Sequence, residues 1–191
     1  MKQFRLAVTG GQGVGKTTFV NRLMSLFNER GVAATRVPSI SEVIDKQKHR
    51  LGSQAGEGAV LAVCDAHMAR ALNCYSGRVL VFDRCAADML AYIELLRVTP
   101  DNYNPHFEQL SRVLLRDLDL VCYLSMPAWA IANPAPHEGD EFRGEISDRV
   151  RGILNRLDVR HVAIDNNTRA EAEFVGDLVW NDLRDRVKYE N

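Results

Sequence analysis

Three observations predict an α/β fold built on a parallel sheet. Short apolar runs alternate along the chain with longer segments whose apolar residues recur at helical spacing. The short runs are apolar on both faces, as strands covered by helices above and below must be. A glycine-rich stretch, Gly10–Gly15, separates the first apolar run from the first helical segment. That stretch forfeits side-chain packing and costs backbone entropy, so something there must need bare backbone.

The elements follow in order. Phe4–Val8 reads as a strand. Lys16–Arg30 is helical, with Phe19, Val20, Leu23, Leu26 and Phe27 on one face and Gly31 as its stop. Ala33–Pro38 is a second strand, and Ser41–Arg50 is a short helix or a loop. Gly52–Gly58 holds three glycines and is expected to be mobile. Ala59–Cys74 is a long helix with Val60, Leu61, Cys64, Met68, Ala71 and Leu72 on its apolar face. Arg78–Phe82 is a buried-type strand ending in Asp83. Ala86–Arg97 and Pro105–Leu118 are helical, and Leu120–Leu124 is a further strand. Ala128–Gly139 contains two prolines, with a third just before it, and reads as irregular. Gly144–Leu157 is helical, Val159–Ile164 is the last strand, and Arg169–Val187 is the closing helix.

Composition narrows the classes of function. The 191 residues are expected to form one domain with a real core. A net charge of −1 supplies no bulk field for nucleic acid or an anionic membrane, although a local basic patch stays possible. No run reaches the roughly 18 apolar residues of a membrane span, and the N-terminal apolar run is too short for a signal peptide. Cys64, Cys74, Cys85 and Cys122 show no C-x-x-C spacing, so reduced thiols in a cytoplasm are expected rather than zinc or redox sites. His67, His106, His137 and His161 share no common spacing and take no role.

Gly10-x-x-x-x-Gly15-Lys16-Thr17 fits the phosphate-binding loop and lies between a strand and a helix, as its mechanism requires. Glycines let several N–H groups converge on one anion, and the helix adds its positive dipole end. Gly10, Gly11, Gln12, Gly13, Val14, Gly15, Lys16, Thr17 and Thr18 are therefore expected to hold ATP. Lys16 would reach the β and γ phosphates and Thr17 would ligate Mg²⁺. Asp83, at the tip of an apolar strand, reads in two ways: a second Mg²⁺ site, or an N-cap for the Ala86 helix. The D-x-x-G and N-K-x-D of a switch GTPase are absent, and a ring-forming motor would need a further helical domain. A compact kinase remains.

"TGGQGVGKTTF" together with "VLVFDRCAADMLAYIELL" resembles the small P-loop kinases grouped with nicotinamide riboside kinase domains and "AAA domain" ATPases, and more distantly thymidylate and deoxyribonucleoside kinases. The similarity runs from Phe4 to about Val179. It implies a five-stranded parallel sheet in order 2-3-1-4-5 and a lid over about residues 127–151. It also implies transfer of the ATP γ-phosphoryl to a hydroxyl or phosphate of a small nucleoside or nucleotide acceptor. Arg84 stands where relatives place an acceptor arginine. Asp88 and Tyr92 match the family's D-x-x-A-Y and, one helical turn apart, share a face that would line the acceptor pocket; for Tyr92 plain core packing is the other reading. Glu42 is the match for the family's base, with an exposed helix glutamate as the bland alternative. An arginine expected three residues later is Asp45, a reserve base. In "PAPHEGDEFRGEISDRVRG", Arg143 and Arg149 are favoured over Arg151 as lid arginines that touch the transferring phosphoryl; a solvated charged helix is the alternative.

One feature points elsewhere. Lys46, Lys48, His49 and Arg50 follow the presumed base, and some bacteriophage enzymes that this family resembles phosphorylate 5-hydroxymethyluracil within DNA. The alternatives are a solvated helix end or, for the whole chain, an ATP-binding regulatory module that has no acceptor. Oligomeric state is open, with a dimer possible.

Overall fold

The computed structural model of this chain describes residues 2–44, 51–97, 104–126 and 139–189. Five strands, β1 (Phe4–Gly10), β2 (Ala34–Val37), β3 (Val79–Asp83), β4 (Leu120–Leu124) and β5 (His161–Ile164), form one sheet. The order is β2-β3-β1-β4-β5 and every pairing is parallel. This is the expected P-loop kinase sheet. Its register sets Gly10 beside Leu124, so the first and fourth strands end together, and Val8 beside Asp83, so the third ends two residues earlier.

The helices are α1 (Lys16–Glu29), α2 (Ile40–Val43), α3 (Glu57–Leu72), α4 (Ala86–Leu96), α5 (Asn104–Arg116), α6 (Asp140–Arg156) and α7 (Arg169–Tyr189). Strand alternation divides the core into two layers. Phe4, Leu6, Val8, Val79, Val81 and Leu120 face one way and pack on Phe19, Leu23 and Phe27 of α1 and on Val175 and Val179 of α7. Ala7, Leu80, Phe82, Val121 and Tyr123 face the other way, onto Leu90 and Ile93 of α4 and Val150, Ile153 and Leu154 of α6. A small third cluster, Ile40, Ile44 and Ala66, ties α2 to α3.

Most boundaries fall within two residues of the sequence reading. Two departures matter. Ser41–Arg50 resolves into one helical turn ending at Val43, and Asp45–Arg50 lies outside the described residues. The helix expected from Gly144 begins at Asp140, N-capped by Gly139, because buried positions continue at helical spacing back through Ile146 to Arg143. Arg143 is therefore a core-facing helical residue, 1% exposed, rather than part of a loose segment between two glycines. Residues 127–138, the first half of the expected lid, lie outside the described residues. Gly52–Gln54 forms a single 3₁₀ turn within the glycine-rich stretch.

Candidate active site

The glycine-rich loop leaves β1 at Gly10 and enters α1 at Lys16. Two of its glycines are required by contact as well as by torsion. Gly10 has φ +138°, and a Cβ there would lie 2.4 Å from the Leu124 carbonyl oxygen of the neighbouring strand. Gly13 has φ +77°, and a Cβ there would meet the Arg143 guanidinium at 2.7 Å. α1 starts with no side-chain cap and no acidic residue in its first turn. Its free N–H groups and dipole end are left for an external anion.

Two cations rest on the loop. Lys16, 6% exposed, donates from Nζ to the carbonyl oxygens of Gly10 (3.0 Å) and Gly11 (2.5 Å). Arg143 donates from Nε to the Gln12 carbonyl at 3.0 Å. A third contact went unnoticed in the sequence. Asn167, in the turn after β5 with φ +52°, donates from Nδ2 to the Gly15 carbonyl at 3.0 Å, and Arg22 of α1 donates to Asn167 in turn. The Asn166-Asn167-Thr168 run was a turn signal, but nothing local could say what that turn would touch.

Thr17 and Asp83 come together as expected. The Thr17 hydroxyl donates to Oδ2 of Asp83 at 2.8 Å, and Asp83 is 3% exposed. The capping alternative for Asp83 is excluded, since Cys85 is the N-cap of α4 and Asp88 its reciprocal partner. Among the described residues no group of three or more His, Cys, Asp or Glu side chains could by itself cage a metal. One hydroxyl and one carboxylate at the mouth of a phosphate loop fit Mg²⁺, which takes few protein oxygens and completes its shell with phosphate and water.

Arg84 follows with φ +73°, the left-handed region, which costs a non-glycine residue about 1–2 kcal/mol. Its Nη1 pairs with Oδ1 of Asp88 at 3.1 Å. The other Asp88 oxygen accepts from the Thr9 hydroxyl (2.5 Å) and the Cys85 N–H (3.0 Å). Asp88 is thus committed to orienting Arg84 and capping α4. Burial opposes the Arg84 charge, but Asp88, Tyr92 and Asp83 outweigh it and hold the guanidinium more firmly protonated than usual. Tyr92 lies on the same face of α4, its hydroxyl 3.5 Å from Gln12 Oε1 and its ring edge-on to Phe142 at 5.9 Å. It therefore joins α4 to the phosphate loop and to α6.

Beneath this turn Arg70 of α3 is 2% exposed, and His67 lies one helical turn before it. Burial, then the charges of Arg70 and Arg84, push the His67 imidazole down to about 3, so it is neutral near pH 7. Burial likewise pushes the Cys64 and Cys85 thiols up to about 12, and both stay protonated. All four cysteines are free.

Glu42 sits just past the edge strand β2. Its Oε2 accepts the Ser39 N–H at 2.5 Å, closing a capping box over α2, and its Oε1 accepts from Arg36 at 3.1 Å. The Ser39 backbone bond, then the Ser39 side chain and Arg36, hold its carboxyl below the usual range. Asp45, Lys46, Lys48, His49 and Arg50 lie outside the described residues. Arg149 is half-buried on the flank of α6, and its Nε has no hydrogen-bond partner among the described residues. Arg151 is exposed and paired with Asp148.

The AAA domain family matches residues 5–172, and the chain belongs to it. No curated protein matches the sequence. Three solved structures share the fold. The NadR protein in complex with NR superposes with a TM-score of 0.69 at 17% identity, over 92% of this chain and 51% of its own, so this chain spans about half its length. Deoxyadenosine kinase from M. mycoides with bound dATP gives 0.61 at 16% identity, over 95% of this chain and 100% of its own. Thymidylate kinase from Candida albicans gives 0.58 at 14% identity, over 95% and 92%. No described helix is long and apolar enough to cross a membrane.

Proposed function

We propose that this AAA domain protein is an ATP-dependent phosphotransferase. It would pass the γ-phosphoryl to a hydroxyl or phosphate of a small nucleoside- or nucleotide-type acceptor. The observation that carries this reading is the juxtaposition of Thr17 bonded to Asp83 with the strained, Asp88-paired Arg84 one residue on. ATP binding alone needs the first pair. It does not need a cation held one residue beyond the metal carboxylate, whereas an acceptor site would use it. The kinase folds named above support the same reading by analogy.

The roles follow from the contacts. The loop N–H groups and the uncapped end of α1 bind the phosphates. Lys16 exchanges two neutral carbonyls for phosphate oxygens, a trade that strengthens as charge develops in transfer. Thr17 and Asp83 would hold Mg²⁺, which would supply positive charge against the phosphate oxygens. Arg84 faces the acceptor, with Asp88 fixing its direction and Tyr92 lining the same side. Arg143 braces the loop at Gln12, and with Arg149 it belongs to the proposed lid of about residues 127–151 within a single domain spanning residues 1–191. Glu42 is the proposed base. Its lowered pKa keeps it ionised at neutral pH but makes it a weaker proton acceptor, so Asp83 and Asp45 remain in reserve. Free thiols suit a reducing cytoplasm.

Labelled-phosphate transfer tests the proposal, with free nucleosides, nucleoside monophosphates and DNA containing 5-hydroxymethyluracil as acceptors. Transfer to a free nucleoside or nucleotide is expected. Transfer to the modified DNA alone would move the acceptor to a DNA base, the reading that rests on Lys46, Lys48, His49 and Arg50. ATP binding with no transfer to any acceptor would leave a regulatory ATP-binding module.

A further inference from the structure

Arg70 was no part of the sequence reading, and its surroundings are unusual for an arginine. It is 2% exposed, yet no carboxylate reaches it within hydrogen-bond distance among the described residues. A buried cation without such a partner is costly, and the cost must be offset by something it does. Its Nη2 donates to two backbone oxygens, those of Asp83 (3.1 Å) and Arg84 (3.5 Å). Its guanidinium lies over the Phe82 ring, 5.4 Å from the centroid. Nε and Nη1 make no hydrogen bond among the described residues.

The geometry of β3 explains why these two carbonyls need a donor. The Arg84 N–H bonds to the Val8 carbonyl of β1, so strand alternation turns the Asp83 carbonyl toward β2. The β2 pairing stops at Val37 opposite Phe82, one residue short. At the next step the chain takes φ +73° at Arg84. Arg70 fills the position that another residue of β2 would have occupied and also grips the carbonyl after the strained torsion. The cluster is balanced in charge, with Arg70 and Arg84 set against Asp83 and Asp88. Burial opposes the Arg70 charge, and Asp83 and Asp88 are among the groups that support it.

We infer that Arg70 is a positioning residue: by holding the Asp83 and Arg84 carbonyls it maintains the turn that aims the Asp83 carboxylate at Thr17 and the Arg84 side chain at Asp88. The inference rests on the proposed roles of Asp83 and Arg84, but the turn itself can be observed without them. A carbonyl brace of this kind acts on the orientation of a metal carboxylate as an outer-shell partner does, an effect of about 10–100-fold in metal affinity or activity.

The test is Arg70→Met, which removes the donors and keeps much of the volume. Replacing a buried charge with an apolar residue is often tolerated by the fold. Its crystal structure should show Arg84 relaxed to negative φ and the Thr17–Asp83 hydrogen bond lost. The Mg²⁺ midpoint for ATP binding should rise about 10–100-fold, while ATP binding in EDTA stays at the wild-type level. A positive φ at Arg84 with the Thr17–Asp83 bond intact would overturn the inference, whatever the activity. If wild-type ATP binding is indifferent to Mg²⁺, the metal reading of Asp83 falls, and the Arg84 torsion in the variant still decides the role of Arg70. Arg70→Lys keeps the charge and a donor. It should fold even if the methionine variant does not, and should sit between wild type and Arg70→Met in midpoint. A lysine variant that matches wild type in torsion and midpoint would overturn the need for a guanidinium.

Discussion

The two sides of the candidate site are built differently. The phosphate side is made of backbone fixed by buried neighbours: Gly10 against Leu124, Gly13 against Arg143, Gly15 clasped by Asn167. Its three charged groups, Lys16, Asp83 and Arg143, are almost fully buried. The proposed acceptor side is made of side chains. Arg84 depends on Asp88, Asp88 on Thr9 and Cys85, and Glu42 stands half-exposed on α2, just past the edge strand, with Arg36 and Ser39 as its partners. Every P-loop protein must meet the same triphosphate, so a backbone cradle suffices on one side. A small acceptor must be told from its analogues, and that requires side-chain hydrogen bonds.

Substitutions can break or sharpen this contrast. The largest loss is expected from Lys16→Ala. It should cut turnover by about 10²–10³-fold in a folded protein, since the ammonium acts on charge that develops at the phosphates. Circular dichroism and steady-state transfer together check it, and near-normal turnover would remove the kinase assignment.

Glu42→Gln comes next and separates two roles of one residue. Glutamine preserves the capping box, so α2 should survive intact. Loss of a general base should still lower kcat by about 10²-fold with little change in the KM for ATP. An unchanged kcat would reduce Glu42 to a cap and pass the role of base to Asp83 or Asp45.

Asp83→Asn should act on metal dependence more than on nucleotide affinity. The Mg²⁺ midpoint of turnover should rise by about 10–100-fold while ATP binding without metal barely changes. Mg²⁺ titration at fixed ATP measures this, and superimposable curves would exclude the metal role.

The smallest effect is one of stability beneath the acceptor side. His67 has a folded value of about 3 against an ordinary 6.5. Between these values the unfolded chain binds more protons, so this contribution is complete above pH 6.5 and is lost as pH falls toward 3. At pH 5 the loss should be about 2 kcal/mol. Chemical denaturation of His67→Gln beside wild type should show a shallower decline over that interval. Parallel declines would mean that the imidazole is not kept neutral by the fold.

The legibility of the sequence follows the same division. The phosphate loop, Thr17 and Asp83 could be read because a strand, a glycine pattern and a helix face are local features. The alternation of elements likewise fixed the layers, and resemblance supplied the strand order. Arg70, Thr9 and Asn167 could not be read, since each acts through hydrogen bonds to residues outside its own element, 13 to 152 positions away. Arg143 is legible as a cation but not as a buried helical residue, because Gly144 reads as a helix boundary. Inside α6 that glycine is tolerated, as the buried stripe from Arg143 through Ile146 to Ile153 outweighs its low helix propensity. Asp88 matched a family motif, yet its carboxylate serves the protein before any ligand.

The clasp between Asn167 and Gly15 also has a consequence for biosynthesis. The loop at residues 10–18 leaves the ribosome well before one of its clasps, which comes from a residue 152 positions later. Arg143, which braces Gln12, arrives 131 positions after its partner. Contacts this distant in sequence are closed late, once the intervening chain has been made. A nascent chain that stops short of β5 therefore carries the whole glycine motif but lacks its final fastening. Full seating of a nucleotide phosphate therefore waits until the turn after β5 has been made.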